Sequence, residues 1–194
     1  MAAQAELFEP PRVPGLSYRK GLLSVAEEKD FVRRLAGLPL QPFQFHGYLG
    51  NRRIVSFGWQ YDYSVARLRD ALPMPGFIEP LRTIVAAFSG VAADAFAHVL
   101  VTEYAPGAGI GWHRDKPMFQ HVAALSFLAP CRLRFRRRRG GGWLRQELAV
   151  APRSGYLLDG EARAVWEHSI PPQNDRRYSV TFRDFVPGYR PPPD

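Results

Sequence analysis

The sequence predicts an α+β fold that is mainly β, and three observations carry that expectation. Residues 98–183 are short runs rich in Val, Leu and Phe, broken by Pro-Gly, Pro-Cys, Gly-Gly-Gly and Asp-Gly, which is the spacing of a compact antiparallel β domain. Ahead of them, Ser24-Val-Ala-Glu27 is a capping-box pattern that opens a helix. With 194 residues, 46% hydrophobic and 13% aromatic, the chain is long enough to bury one core, so a single domain over 1–194 is expected.

Taken in order, residues 1–20 are proline-rich and lack periodicity, as in an extended arm. The helix from Ser24 carries Phe31, Leu35 and Leu38 at helical spacing until Pro39 stops it. Residues 43–63 alternate aromatic with polar or basic side chains, the pattern of one or two strands around a turn at 47–51. Helices are expected over 64–72 and 77–97, separated by Pro73 and Pro75 and nicked by Gly90. The β domain follows, and the proline-rich tail after Phe185 should be irregular.

Composition narrows the function classes. A single cysteine, Cys131, excludes an intramolecular disulfide framework and a cysteine-based zinc cluster, and it fits a reducing, cytoplasmic setting. The N-terminus lacks a basic region followed by an apolar one, and the most apolar stretch, 83–101, is interrupted by Asp94 and His98, so neither a signal peptide nor a membrane span is expected. A net charge of +8, with 23 of 26 cationic residues arginine, favours phosphate-rich partners, although a coding bias toward arginine would look the same.

Chemistry concentrates late in the chain. On a strand, residues two apart point the same way, so His113 and Asp115 could chelate one ion, and His168, on an expected strand over 165–170, is the best third ligand. A mixed imidazole and carboxylate set with open positions suits non-haem Fe(II), whereas structural zinc prefers a closed shell. His-Arg-Asp also begins the catalytic loop of protein kinases, but this chain has no Asp-Phe-Gly and no glycine-rich phosphate loop.

The run Tyr104-Ala-Pro-Gly-Ala-Gly-Ile-Gly-Trp-His113-Arg-Asp115, followed by His168 and Arg177-Tyr-Ser-Val-Thr-Phe-Arg183, resembles the AlkB family of iron and 2-oxoglutarate dioxygenases. The resemblance covers about residues 98–185, with a looser match in 43–63. It implies a double-stranded β-helix, or jelly-roll, as the catalytic core over 98–185. The N-terminal extension over 1–97 would supply helices and a β-hairpin lid that recognises a nucleotide.

By the same resemblance, His113, Asp115 and His168 would hold Fe(II), leaving three positions for 2-oxoglutarate and O2. Arg177 would meet the distal carboxylate of 2-oxoglutarate together with Tyr104, and Arg183 would face the end nearer the metal. Six strand residues span about 20 Å, so the two arginines meet one small molecule only if their arms lean together or the strand bends. Thr102 and Ser179 stand where repair members of the family carry asparagines near the cosubstrate, which makes Ser179 a candidate contact. Pro117 stands where those members place a carboxylate that helps recognise a damaged base.

In the lid segment the candidate substrate contacts are Trp59, Tyr61, Arg53 and Tyr48, since aromatic planes stack a flipped base, at about 1–3 kcal/mol each, while arginines hold phosphate. The run Arg132, Arg134 and Arg136 to Arg139 reads as a phosphate-backbone track or a solvated edge whose charges discourage pairing. The function expected is therefore oxidative demethylation of N-alkylated bases in DNA or RNA by a monomer that binds nucleic acid and no membrane. The alternatives are the same chemistry on a protein side chain or small molecule, and a nucleic-acid-binding protein with an inactive oxygenase core.

Overall fold

The computed structural model describes residues 13–45, 48–62, 65 and 67–191, without the side chains of residues 44, 45 and 48–50. The N-terminal half supplies strand β1 (Leu16–Arg19), helix α1 (Val25–Ala36), strands β2 (Gln41–Phe45), β3 (Tyr48–Phe57), β4 (Trp59–Asp62) and β5 (Arg67–Asp70), and helix α2 (Glu79–Ser89). Strands β6 (His98–Tyr104), β7 (Ile110–His113), β8 (Phe119–Leu128), β9 (Cys131–Arg139), β10 (Gly142–Val150) and β11 (Ser154–Leu158) follow. The short helix α3 (Gly160–Ala164), then β12 (Glu167–Ile170) and β13 (Arg177–Phe185), complete the chain.

These strands form a seven-stranded antiparallel sheet ordered β1-β11-β8-β13-β6-β3-β2 and a four-stranded antiparallel sheet ordered β10-β9-β12-β7, with β4 and β5 as a separate hairpin. One core lies between the two sheets and unites Val122, Tyr156 and Leu158 of the larger with Leu133, Phe135 and Ile170 of the smaller. Two sheets closed over a shared core make the double-stranded β-helix, with the N-terminal helices outside it.

Strand alternation sorts the residues of the larger sheet. Tyr178, Val180 and Phe182 of β13 pack with Val99 and Val101 of β6 against the helices, in a second core that includes Leu35, Leu81 and Val85. The intervening Arg177, Ser179, Thr181 and Arg183 must point the other way, toward the smaller sheet. β6 and β8 pair with both edges of β13, and its two faces look toward the helices and toward the smaller sheet, which explains a strand buried almost throughout.

Helix α1 begins as its sequence dictates: Ser24 Oγ accepts from the Glu27 amide at 3.2 Å, and the Glu27 carboxylate accepts from the Ser24 amide at 2.7 Å. Phe31 meets Phe127 edge-on at 6.5 Å, which seats the helix on β8. Buried Glu28 then accepts from the Leu128 amide at 2.9 Å and from Arg153 at 2.7 Å, locking the same helix to the end of the sheet.

The structure corrects four expectations. The turn foreseen at 47–51 gives way to β3, which already starts at Tyr48 because Gln44 and Phe45 pair with Leu49 and Tyr48. The helix over 64–72 is replaced by β5, since Leu68 alone is buried between exposed Arg67 and Arg69, a period of two that the apolar count did not reveal. The long helix over 77–97 is only α2, which stops at Gly90 with φ 76° and is followed by a 3-10 turn at 93–95. The strand over 165–170 begins at Glu167, because Val165 and Trp166 still close α3 through the Glu161 carbonyl.

Candidate metal and cosubstrate site

The register of the smaller sheet brings the predicted ligands together. β12 runs antiparallel to β7 with His168 directly opposite His113, and the two rings are 4.3 Å apart. Asp115 lies past the end of β7, so it reaches the pair from a loop and not by the period-two geometry of one strand. One ligand atom from each of His113, Asp115 and His168 lies within 4.8 Å of the others. The chemistry of this set suits an ion with open coordination positions, and the three residues form a possible iron site.

Each ligand is held from outside. His113 Nδ1 sits 2.8 Å from the Gly111 carbonyl, a contact that uses the Nδ1 proton and leaves Nε2 for a metal. His168 is pushed down to about 3 by burial first and by His113 next, so its imidazole is neutral at pH 7, the form a metal requires. Burial raises the Asp115 carboxyl, but Arg183, His168 and His113 together outweigh burial and hold it well below the usual carboxylate range. Buried His98, whose Nδ1 lies 3.3 Å from Arg183 Nη1, is also kept neutral by burial and by that guanidinium.

Tyr104, His113, Asp115, His168, Ser179 and Arg183 line one cleft of about 1440 Å3. Arg183 sits at the metal end. Arg177 is fully buried at the other end of β13 and does not itself line the cleft; its guanidinium carbon is 5.1 Å from the Tyr104 ring and its Nε donates to Ser126 Oγ at 3.0 Å. Both Nη atoms of Arg177 are buried without a hydrogen-bond partner. A carboxylate is a group that would satisfy them. The residues therefore fit both an iron ion and a dicarboxylic cosubstrate.

The candidate lid residues are less uniform. Tyr61 lines the cleft with Lys116 4.0 Å above its ring. Trp59 instead meets Phe185 edge-on at 6.3 Å, and Arg53 pairs at 2.5 Å with buried Glu103, which also accepts from the Tyr178 hydroxyl. The neighbouring Arg52, opposite Tyr104 in the ladder, faces the cleft and lies 3.8 Å from the Phe43 ring. The Tyr48 side chain lies outside the described residues. Arg52 belongs to the arginine pair of the lid segment, whereas Lys116, Ser126 and Arg163, which donates to the Lys116 carbonyl, join the site without a signal in the sequence. Only Arg52 had a local signal, through strand alternation; the others depend on which strands become neighbours.

A sequence profile described as the 2OG-Fe(II) oxygenase superfamily matches residues 15–183, and the chain belongs to that family. Membership implies Fe(II), 2-oxoglutarate and O2, with His113, Asp115 and His168 as a possible iron site, and the chain is similar to AlkB-type proteins. The Arabidopsis thaliana protein named alkylated DNA repair protein ALKBH8 homolog is 28% identical over 183 residues, covering 82% of this chain and 51% of the relative. The Mus musculus protein named tRNA (carboxymethyluridine(34)-5-O)-methyltransferase ALKBH8 is 25% identical over 166 residues, covering 82% of this chain and 24% of that protein. The chain thus spans about half or less of these relatives. The structure of OsALKBH1 superposes with a TM-score of 0.69 at 15% identity, covering 88% of this chain and 97% of that one. A Pseudomonas putida prolyl-4-hydroxylase superposes with a TM-score of 0.58 at 14% identity over 90% and 94% of the two chains.

Proposed function

We propose that this dioxygenase removes N-alkyl groups from bases of single-stranded or flipped-out DNA or RNA. The observation that carries the reading is the lining of the cleft: two cation-aromatic pairs, Lys116 on Tyr61 and Arg52 on Phe43, line the same cleft as His113, Asp115 and His168. Such pairs suit a planar base joined to phosphate, and the +8 net charge attracts the polyanion to which the base belongs. The name of the plant relative, which refers to alkylated DNA repair, points the same way.

In this role His113, Asp115 and His168 hold Fe(II), Arg177 with Tyr104 and Ser179 binds 2-oxoglutarate, and Arg183 keeps Asp115 ionised. Fe(II) held by His113, Asp115 and His168 would supply oxidation of the substrate carbon, with 2-oxoglutarate and O2 converted to succinate and carbon dioxide and one oxygen atom left on that carbon. The N-hydroxymethyl product then breaks its carbon-nitrogen bond, releasing formaldehyde and the unmodified base. The walls of the cleft orient the base and exclude water.

Pro117, exposed two residues beyond Asp115, supplies no charge to a base and favours a second reading in which the same chemistry acts on a protein side chain or small molecule. Succinate formation with methylated oligonucleotides and with methylated peptides separates the two. Turnover on peptides alone would overturn the proposal.

A further inference from the structure

The smaller sheet turns a second face away from the core. Along β9, alternation buries Cys131, Leu133 and Phe135 and sets Arg132, Arg134, Arg136 and Arg138 on the opposite side. The register places Trp143 and Arg145 of β10 opposite Arg138 and Arg136. On β7, Trp112 precedes the inward His113 and so shares this outer face.

The cations and indoles interleave. Arg134 and Arg136 lie over the Trp112 ring at 5.0 and 4.5 Å, and Arg136 and Arg138 each lie 4.1 Å from the Trp143 ring. Glu167 neutralises Arg136 at 2.6 Å, and Glu147 stands 3.7 Å from Arg132. Arg138 and Arg145 are exposed and have no carboxylate partner among the described residues. Positive charge therefore exceeds negative on this face.

Charge alone would keep the edge strand β10 from pairing with another chain, and half-buried tryptophans are not needed for that. A guanidinium lying on an indole has a fixed plane, and its N–H edges stay available for phosphate, so little rotamer entropy remains to be lost on binding. Successive arginines on the strand repeat at about 6.7 Å, a linear ladder suited to a linear polyanion. Trp112 also lines the catalytic cleft, so ladder and cleft meet at one residue.

We propose that this face is a docking track for single-stranded nucleic acid, with phosphates on Arg138 and Arg145 and unpaired bases against the arginine-tryptophan stacks. What the strand delivers rests on the nucleic-acid reading of the cleft, whereas the docking itself requires no turnover. A single strand fits better than a duplex or an acidic peptide, because stacked planes recognise only bases that are free to stack.

The test is binding of a fluorescent, unmodified single-stranded oligonucleotide across a salt series, with thermal melting as the folding control. The pair Arg138→Gln and Arg145→Gln should weaken binding and make the log-log salt slope shallower by about 1.4, at about 0.7 for each lost phosphate contact. Trp143→Ala should weaken binding about 5-fold or more. Turnover of a methylated nucleoside, which has no phosphate or second base to dock, should be unchanged in all of them. Failure of the parent protein to bind, an unchanged slope in the arginine pair, or equally tight binding of an acidic peptide of the same charge would each overturn the docking track. If the parent binds, the variants do not, and no methylated strand is turned over, the substrate reading fails and the track stands.

Discussion

Arg183 places two of its three nitrogens on a single oxygen of Asp115: Nε lies 2.9 Å and Nη2 2.7 Å from Oδ1. The other oxygen, Oδ2, is left 3.4 Å from His168 Nε2, inside the candidate ligand cluster. The arginine at the end of β13 thus decides which carboxylate oxygen faces a metal.

Arg183→Met should leave Asp115 as an uncompensated buried charge, destabilising the metal-free protein by about 3–5 kcal/mol. Metal affinity should fall about 10- to 100-fold, with a smaller loss for Arg183→Lys, which keeps the charge but not the fork. Urea unfolding together with Co(II) titration reads both effects. Undiminished metal affinity in Arg183→Met would remove Arg183 from the site.

The two orphaned Nη atoms of Arg177 predict the opposite balance. Arg177→Met deletes a buried charge that lacks a carboxylate, so the melting temperature without cosubstrate should not fall. The dissociation constant for 2-oxoglutarate should rise about 30-fold or more, while metal affinity holds. Calorimetric titration with 2-oxoglutarate checks this, and an unchanged constant would mean that the distal carboxylate binds elsewhere.

Stability should depend on pH through His98 and His168, both held neutral in the folded protein. Below about pH 6.5 the unfolded chain takes up protons that these folded residues refuse, so their contribution is complete above that pH and declines as the pH falls, for His168 down to about 3. The slope is about 1.4 kcal/mol per pH unit for each histidine. Unfolding of the metal-free protein at pH 7 and pH 5.5 measures it, and His98→Gln should remove about one proton from the linkage. A flat profile across that interval would contradict the buried neutral imidazoles.

Gly109, just before β7, lies close against the end of β12: an added Cβ would stand 2.6 Å from the Ile170 carbonyl oxygen and 2.9 Å from Pro171. Gly109→Ala should push apart the strands that carry His113 and His168, costing about 1–3 kcal/mol and weakening metal binding. At Gly111 an added Cβ meets nothing within 4 Å, so Gly111→Ala is the matched control. Equal metal affinity in the two variants would show that the strand spacing tolerates the methyl.

Several features were legible because their signals are local. The capping box of α1 is four consecutive residues, and the β character of 98–183 follows from residue type and turn punctuation. The β4–β5 hairpin was not legible: Leu68 becomes a buried strand residue only when Tyr61 lies across from it, and within 64–72 an isolated leucine among arginines looks equally helical. Asp115 illustrates a right partner reached by a different route, since its place beside His168 comes from a loop held by Arg183, 68 residues away.

By itself the sequence made His113, Asp115 and His168 candidate ligands through residue type and spacing, and it joined Arg177 and Arg183 to them through a family resemblance. Tertiary structure alone decided how they are used. Pairing β12 with β7 brings distant histidines together, and burying β13 between β6 and β8 leaves Arg177 with unsatisfied donors while giving Arg183 a carboxylate. Strand neighbours and burial are relations between distant segments, settled by which pairing closes both sheets over one core, and no local run of residues encodes them.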